Sequence, residues 1–202
     1  MSSWKDLLKR AEPGGHLVHL YGQDERLLAR NVSRFLAEGL RQRDSLIVIA
    51  TPEHAESIAR YLADEAGSAT REAEHEGRLV YLDARATLDQ LLRDGQPDPI
   101  RFAAVVGELL GSLQARSGSG KVRAFGEMVD LLWSDGRHEE AERLEELWNG
   151  LIAGSQYSLY CAYAIDLFSS GSDPARLGPI VDSHTHLFAG PGTILSSRRA
   201  SA

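Results

Sequence analysis

Short apolar runs that alternate with helix-spaced stretches constrain this chain more than any other feature. His16–Tyr21 (HLVHLY), Ser45–Ala50 (SLIVIA), Arg78–Leu82 (RLVYL), Lys121–Gly126 (KVRAFG) and Tyr157–Ala164 (YSLYCAYA) each have the length of one buried strand, and Pro179–Phe188 is a candidate sixth. Between the first two, Leu27, Leu28, Val32, Phe35, Leu36 and Leu40 recur at helical spacing, with Asp24 placed to cap them. Thr51-Pro52 then opens a second helix whose apolar face is Ala55, Ile58, Ala59, Leu62 and Ala66. Further helices are expected around Ile100–Gln114 and over Glu139–Ala153. Strands that are apolar at nearly every position are buried on both faces, and a helix between successive strands lets them pair in parallel. The expected fold is therefore α/β: three layers, a mostly parallel sheet with helices on both faces. One domain is expected over residues 1–189, followed by a flexible tail over 190–202 that is rich in Ser, Arg and Gly.

Charge and cysteine use narrow the classes of function. The net charge of −7 disfavours nucleic acid, because phosphate backbones are bound by clustered Lys and Arg. The single cysteine, Cys161, cannot form an internal disulfide, which fits a reducing compartment. No apolar run follows a basic start, and none approaches the roughly 20 residues of a membrane span. A soluble, cytoplasmic chain that contacts neither membrane nor nucleic acid is expected.

Three motifs invite chemistry. Gly118-Ser-Gly-Lys121 looks like part of a phosphate loop, but the first glycine position holds Ala115 and the hydroxyl position holds Val122. It also leads from a helix into a strand, the reverse of the order needed, so it reads as a surface turn. After the first strand, where a phosphate loop belongs, Tyr21-Gly-Gln-Asp-Glu-Arg-Leu27 has no lysine and places carboxylates where amides are required. Its simplest reading is a tight turn and helix cap, or one wall of a ligand pocket. Finally, His184-Thr-His186 has the spacing of a metal-gripping pair on a strand and resembles the opening motif of the amidohydrolases. That motif begins a barrel needing on the order of 200 further residues, and only 16 follow His186. No metal and no cofactor is expected, and no catalysis; a metal-dependent hydrolase is the least favoured alternative.

Several separated segments, in order, resemble one family. Val122-Arg-Ala-Phe-Gly-Glu-Met-Val-Asp-Leu-Leu-Trp133, Gly136-Arg137, Leu144-Glu-Glu-Leu-Trp-Asn149 and Leu159-Tyr-Cys-Ala-Tyr163 are similar to motifs of the MEDS family, a sensory domain first described in a dichloromethane-responsive repressor and methanogen relatives. His16–Tyr21 with Phe35–Leu40 resembles the family's opening and His184-Thr-His186 its close. The resemblance spans about residues 14–188. It implies a RecA-like or KaiC-like core that has lost its phosphate loop, sensing of small organic molecules, and a signalling partner such as a histidine kinase or transcription regulator.

In a parallel sheet, ligands sit beyond the carboxyl ends of the strands. The expected ligand-binding residues are accordingly Tyr21, Gly22, Glu53, Glu127 and Tyr163, with the closing segment His184–His186 folded over them; His184 and His186 either pair with Glu127 or Asp83 across the site or simply finish the sheet. Trp133, Glu145, Asn149 and Cys161 are expected in structural or secondary roles: Glu145 and Asn149 share one helix face, as a solvated stripe or a clasp onto a loop, and Cys161 shares a strand face with Leu159 and Tyr163. The function expected is a non-catalytic sensor of a small organic ligand. A protein-interaction module without a small ligand is the alternative.

Overall fold

A computed structural model describes residues 8, 12–166, 174–189 and 193–196 of the chain. Its centre is a sheet in the order β3-β2-β6-β7-β1-β8-β9, where β1 is His16–Leu20, β2 Ser45–Ala50, β3 Leu79–Asp83, β6 Val122–Gly126, β7 Tyr157–Tyr163, β8 His186–Ala189 and β9 Thr193–Ser196. Neighbours from β3 to β8 are parallel, and β9 is antiparallel on β8. A two-stranded hairpin, β4 (Leu92–Arg93) with β5 (Gln96–Pro97), lies apart from this sheet.

The continuous apolar runs become the central strands because those strands are covered on both faces. Every residue of β2, β6 and β7 is buried. Alternate side chains enter two cores. Val18, Leu20, Ile47, Ile49, Leu159, Cys161 and Tyr163 pack on one face. That face is covered by α4 (Ala84–Leu91), α6 (Glu108–Arg116), α7 (Met128–Ser134) and α8 (His138–Ile152), which contribute Leu88, Leu113, Leu132, Leu144 and Trp148. Leu17, Leu46, Val48, Phe125 and Tyr160 pack on the other face against α1 (Glu25–Gln42) and α2 (Pro52–Ala66). Each buried Leu, Ile or Phe contributes about 1.5–3 kcal/mol relative to exposure. The three-layer, mostly parallel α/β fold read from the sequence is the fold observed.

Local signals behave as their chemistry requires. Asp24 caps α1, accepting from the Leu27 amide at 2.9 Å. Pro52 occupies the first turn of α2, as expected, although Thr51 makes no side-chain cap bond there. The glycine-serine turn before β6 is exposed, and its Gly118 and Ser119 amides donate to the Arg43 carbonyl rather than facing outward. Where α1 crosses the sheet, a Cβ at Gly39 would lie 2.7 Å from Leu46 Cδ2 and 2.9 Å from Arg123 Cδ, so the close approach requires glycine.

The structure departs from the sequence reading near the chain's end. The expected strand Pro179–Phe188 is instead the second half of α9 (Pro174–Ser183) followed by the short β8. Its apolar residues serve two elements: Ile180 is buried from the helix, Leu187 and Phe188 from the strand. Of the tail expected from residue 190, residues 193–196 form β9 and the remainder lies outside the described residues. Between β3 and α6 the chain also forms α4, the hairpin, α5 (Pro99–Phe102) and a π-helical turn over Ala103–Gly107, and α3 (Ser68–His75) follows α2. None of the described helices is long and apolar enough to cross a membrane.

Candidate functional site

Because β2, β6, β7 and β1 are adjacent and parallel, the residues that follow them meet at one edge. Tyr21 follows β1, Thr51 follows β2, Glu127 follows β6 and Ala164 follows β7. Glu127 is buried and takes both of its partners from the β2 side. Its Oε1 accepts from the Thr51 amide, and its Oε2 accepts from His54 Nδ1 at 2.7 Å. That hydrogen bond holds the His54 imidazolium above its ordinary range. One helical turn past Glu127, Asp130 accepts from the Ala164 amide at 2.9 Å and from the Tyr21 hydroxyl at 3.3 Å. Burial pushes Asp130 up to about 6, and burial with Asp130 beside it raises the Tyr21 phenol. The Tyr21 and His54 rings meet edge-on, 6.1 Å between centroids.

This constellation has a definite chemical sense. Two carboxylates at the strand ends repel phosphate, and they accept hydrogen bonds from O–H and N–H groups. Gly22 makes the turn out of β1 at a φ of 61°, beside Asp166. Glu53 is exposed on the first turn of α2, and its neighbour His54 is the residue that reaches Glu127.

Other expected site residues are brought together elsewhere. Tyr163 is buried, and its hydroxyl donates to Glu145 Oε1 at 2.7 Å, inward from the edge. The same carboxylate has His184 Nε2 at 3.3 Å from Oε1 and His16 Nε2 at 3.4 Å from Oε2. Cys161 Sγ lies 3.2 Å from His16 Nε2 and 4.0 Å from Glu145 Oε2. His16, Glu145, Cys161 and His184 are all at most 2% exposed. Burial and the neighbouring His184 lower His16 to about 3; burial, with Glu145 adding to it, raises the Cys161 thiol. Burial opposes the charge on Glu145, yet the surrounding imidazoles and the Tyr163 hydroxyl outweigh it and hold the carboxyl below its usual range.

The helix face shared by Glu145 and Asn149 is a clasp. Asn149 Oδ1 accepts from His16 Nδ1 at 3.0 Å, and its Nδ2 donates to the Ser183 carbonyl at 3.1 Å. The expected cover over the strand ends is not formed by His184–His186. His186 pairs in register with Leu17, near the start of β1, so this segment lies at the amino edge of the sheet. The reason is topological: β8 runs parallel to β1 and enters the sheet from that side. His184 accordingly meets Glu145 rather than Glu127 or Asp83, and Asp83 caps α4 through the Ala86 amide at 2.7 Å. His186 contacts Thr185 and does not join His184 in the cluster. Trp133 packs edge-on against Tyr163, lies tilted against His138 with centroids 4.2 Å apart, and lines a groove of about 490 Å³ with Glu139 and Pro179.

Of the residues singled out from the sequence, the structure places Tyr21 and Glu127 at this edge; His54, Asp130 and His16 were not singled out. Asp130 had a legible signal, one turn after Glu127 on a helix following a buried strand. His16 had none in spacing, since its partner Glu145 is far away along the chain.

A search among curated proteins finds no match. The family model of the sensory domain of methanogens, methylotrophs and DcmR matches residues 15–184, most of the chain and both groups of residues just described. The chain belongs to the MEDS family of sensory domains.

Proposed function

We propose that this domain is a non-catalytic sensor that binds a small neutral or cationic organic molecule at the carboxyl edge of its sheet and passes its occupancy to a partner regulator, such as a histidine kinase or transcription factor. The observation that carries the reading is the convergence of Tyr21, His54, Glu127 and Asp130 beyond four adjacent parallel strands. Membership in a sensory family supplies the context. An arriving O–H or N–H group replaces the Tyr21 hydroxyl as donor to Asp130 and uses the aromatic faces of Tyr21 and His54 for apolar contact. The loop after β1 and the segment after β7 are both tethered to Asp130, directly or through Tyr21, so exchanging its donors moves two loops together. A ligand shifts that arrangement only by its difference in affinity for the two states.

Calorimetric titration with short-chain alcohols, short-chain amines, acetate and inorganic phosphate tests the proposal. Alcohols or amines are expected to bind, and Asp130→Ala to weaken them on the order of 10- to 100-fold, the loss of one charged hydrogen bond. Preferential binding of phosphate or acetate, or binding indifferent to Asp130, overturns it.

A further inference from the structure

We propose that His16, Glu145, Cys161 and His184 form a closed tetrahedral site for one zinc ion, buried between β1, β7, α8 and the α9–β8 junction. These are two imidazole nitrogens, a thiol sulfur and a carboxylate oxygen, from four separate parts of the chain, with ligand atoms all within 4.8 Å of one another. A tetrahedral zinc ion with bonds of about 2.0–2.3 Å sets its ligands about 3.3–3.8 Å apart. His16 Nε2 stands 3.2 Å from Cys161 Sγ and 3.4 Å from Glu145 Oε2, Cys161 Sγ stands 4.0 Å from the same oxygen, and His184 Nε2 stands 3.3 Å from the other oxygen, Oε1. Three edges of that tetrahedron, among His16, Cys161 and Glu145 Oε2, are thus close to place, and His184 completes the group within 4.8 Å.

The surroundings orient each ligand inward. His16 Nδ1 faces Asn149 Oδ1 at 3.0 Å, and the bond from Asn149 Nδ2 to Ser183 fixes which way that amide points. His184 Nδ1 faces the Ile180 carbonyl at 2.6 Å. Those oxygens only accept, so each Nδ1 carries a hydrogen, and in the neutral ring the Nε2 lone pair then points into the cluster. Metal-bound histidines are oriented by this kind of partner on the far nitrogen. Tyr163 donates to Glu145 Oε1 at 2.7 Å and steadies the carboxylate. A cation placed between the Glu145 carboxylate and the two Nε2 atoms is attracted by all three, the more strongly away from water. A thiolate, two imidazoles and a carboxylate match zinc in softness and geometry, and two anionic ligands balance its charge. On binding, the Cys161 S–H bond breaks, the sulfur pair forms the Zn–S bond, and the proton passes to solvent.

Four protein ligands leave no open position, so the ion would be structural. His16 opens the first strand and His184 precedes the last parallel one, and the ion would pin α9 and β8 to the core. The site does not depend on the carboxyl-edge reading; either can fail without the other.

The test uses the full chain, chelated, unfolded and refolded with one equivalent of cobalt(II) or zinc, since the cluster is closed to solvent. Wild type is expected to bind one metal per chain and to show thiolate-to-cobalt charge transfer in the near ultraviolet with strong tetrahedral bands in the visible. Zinc in excess should raise the Tm by about 5–10 °C. Cys161→Ser should lose the near-ultraviolet band, and His184→Ala the tight one-to-one binding. A wild-type cobalt spectrum of the weak octahedral kind, or a Tm that zinc leaves unchanged, overturns the site whatever the variants do.

Discussion

Arg123 shows at one position how this fold handles charge. It projects from a central strand, is buried, donates from Nε to Asp44 Oδ2 at 2.8 Å and from Nη1 to the Phe35 carbonyl at 3.1 Å. Removing Asp44 leaves the guanidinium buried without its counter-charge, so Asp44→Ala is expected to cost about 3–5 kcal/mol in denaturant unfolding. A loss under about 1 kcal/mol would show that the pair is dispensable. Gly39→Ala tests the same neighbourhood by volume: its new methyl must displace Leu46 or Arg123, at about 1–3 kcal/mol. Asp130 presents the opposite balance. Its pKa of about 6 lies above the usual 3.8, so the folded state holds the proton more tightly than the unfolded state. Its contribution therefore becomes unfavourable as pH rises from about 4 through 6, by up to about 3 kcal/mol. The groups facing it are Tyr21, Glu127 and His54. His54 is raised, so its stabilising effect is complete below pH 6.5 and is lost as pH rises through its folded value. Asp130→Asn should gain stability relative to wild type between pH 4 and 7; a gain in the reverse direction contradicts the assignment.

Among the elements, the central strands were legible because a strand buried on both faces has no polar alternation to obscure it. SLIVIA forms β2 with the bounds read from the sequence. The α9–β8 segment was not legible, because Pro179–Phe188 holds two short apolar pieces around the polar Asp182–His186 and is shared between a helix end and a strand start. Its register was equally hidden. The sequence shows that His184 and His186 share spacing, whereas only pairing of β8 with β1 shows that they stand at the amino edge. The same holds for the buried cluster: His16 pairs with Leu159 and Val18 with Cys161, and that register, not any spacing, brings His16 to the sulfur. Thr185 anchors this junction, donating to the His16 carbonyl at 2.7 Å and accepting from the His16 amide at 3.1 Å. Thr185→Val leaves the His16 amide unpaired, at about 1–3 kcal/mol, while the His16 carbonyl keeps the Thr185 amide at 2.8 Å. If β8 opens locally, amide exchange over residues 186–189 should accelerate about 10- to 100-fold; unchanged exchange would mean that β9 and the apolar contacts of Leu187 and Phe188 hold the strand alone.

At the scale of the whole molecule, the parallel sheet separates two kinds of chemistry. The carboxyl edge gathers Tyr21, His54, Glu127 and Asp130, and the space beneath α8 gathers His16, Glu145, Cys161 and His184. Tyr163 belongs to the second group by its hydroxyl and touches Trp133 by its ring, although it stands at the carboxyl end of β7. On the proposed function the carboxyl edge is the sensing face, and the segment around His184 holds β8 against β1. The most direct measurement is backbone amide NMR of the full chain during titration with methylammonium and with ethanol. Saturable shifts are predicted in residues 21–27, 51–54, 127–130 and 164–166, with residues 186–189 unmoved. Shifts confined to the outer helices or to the groove beside Trp133 and Pro179, or no saturable shift with either probe, would contradict it.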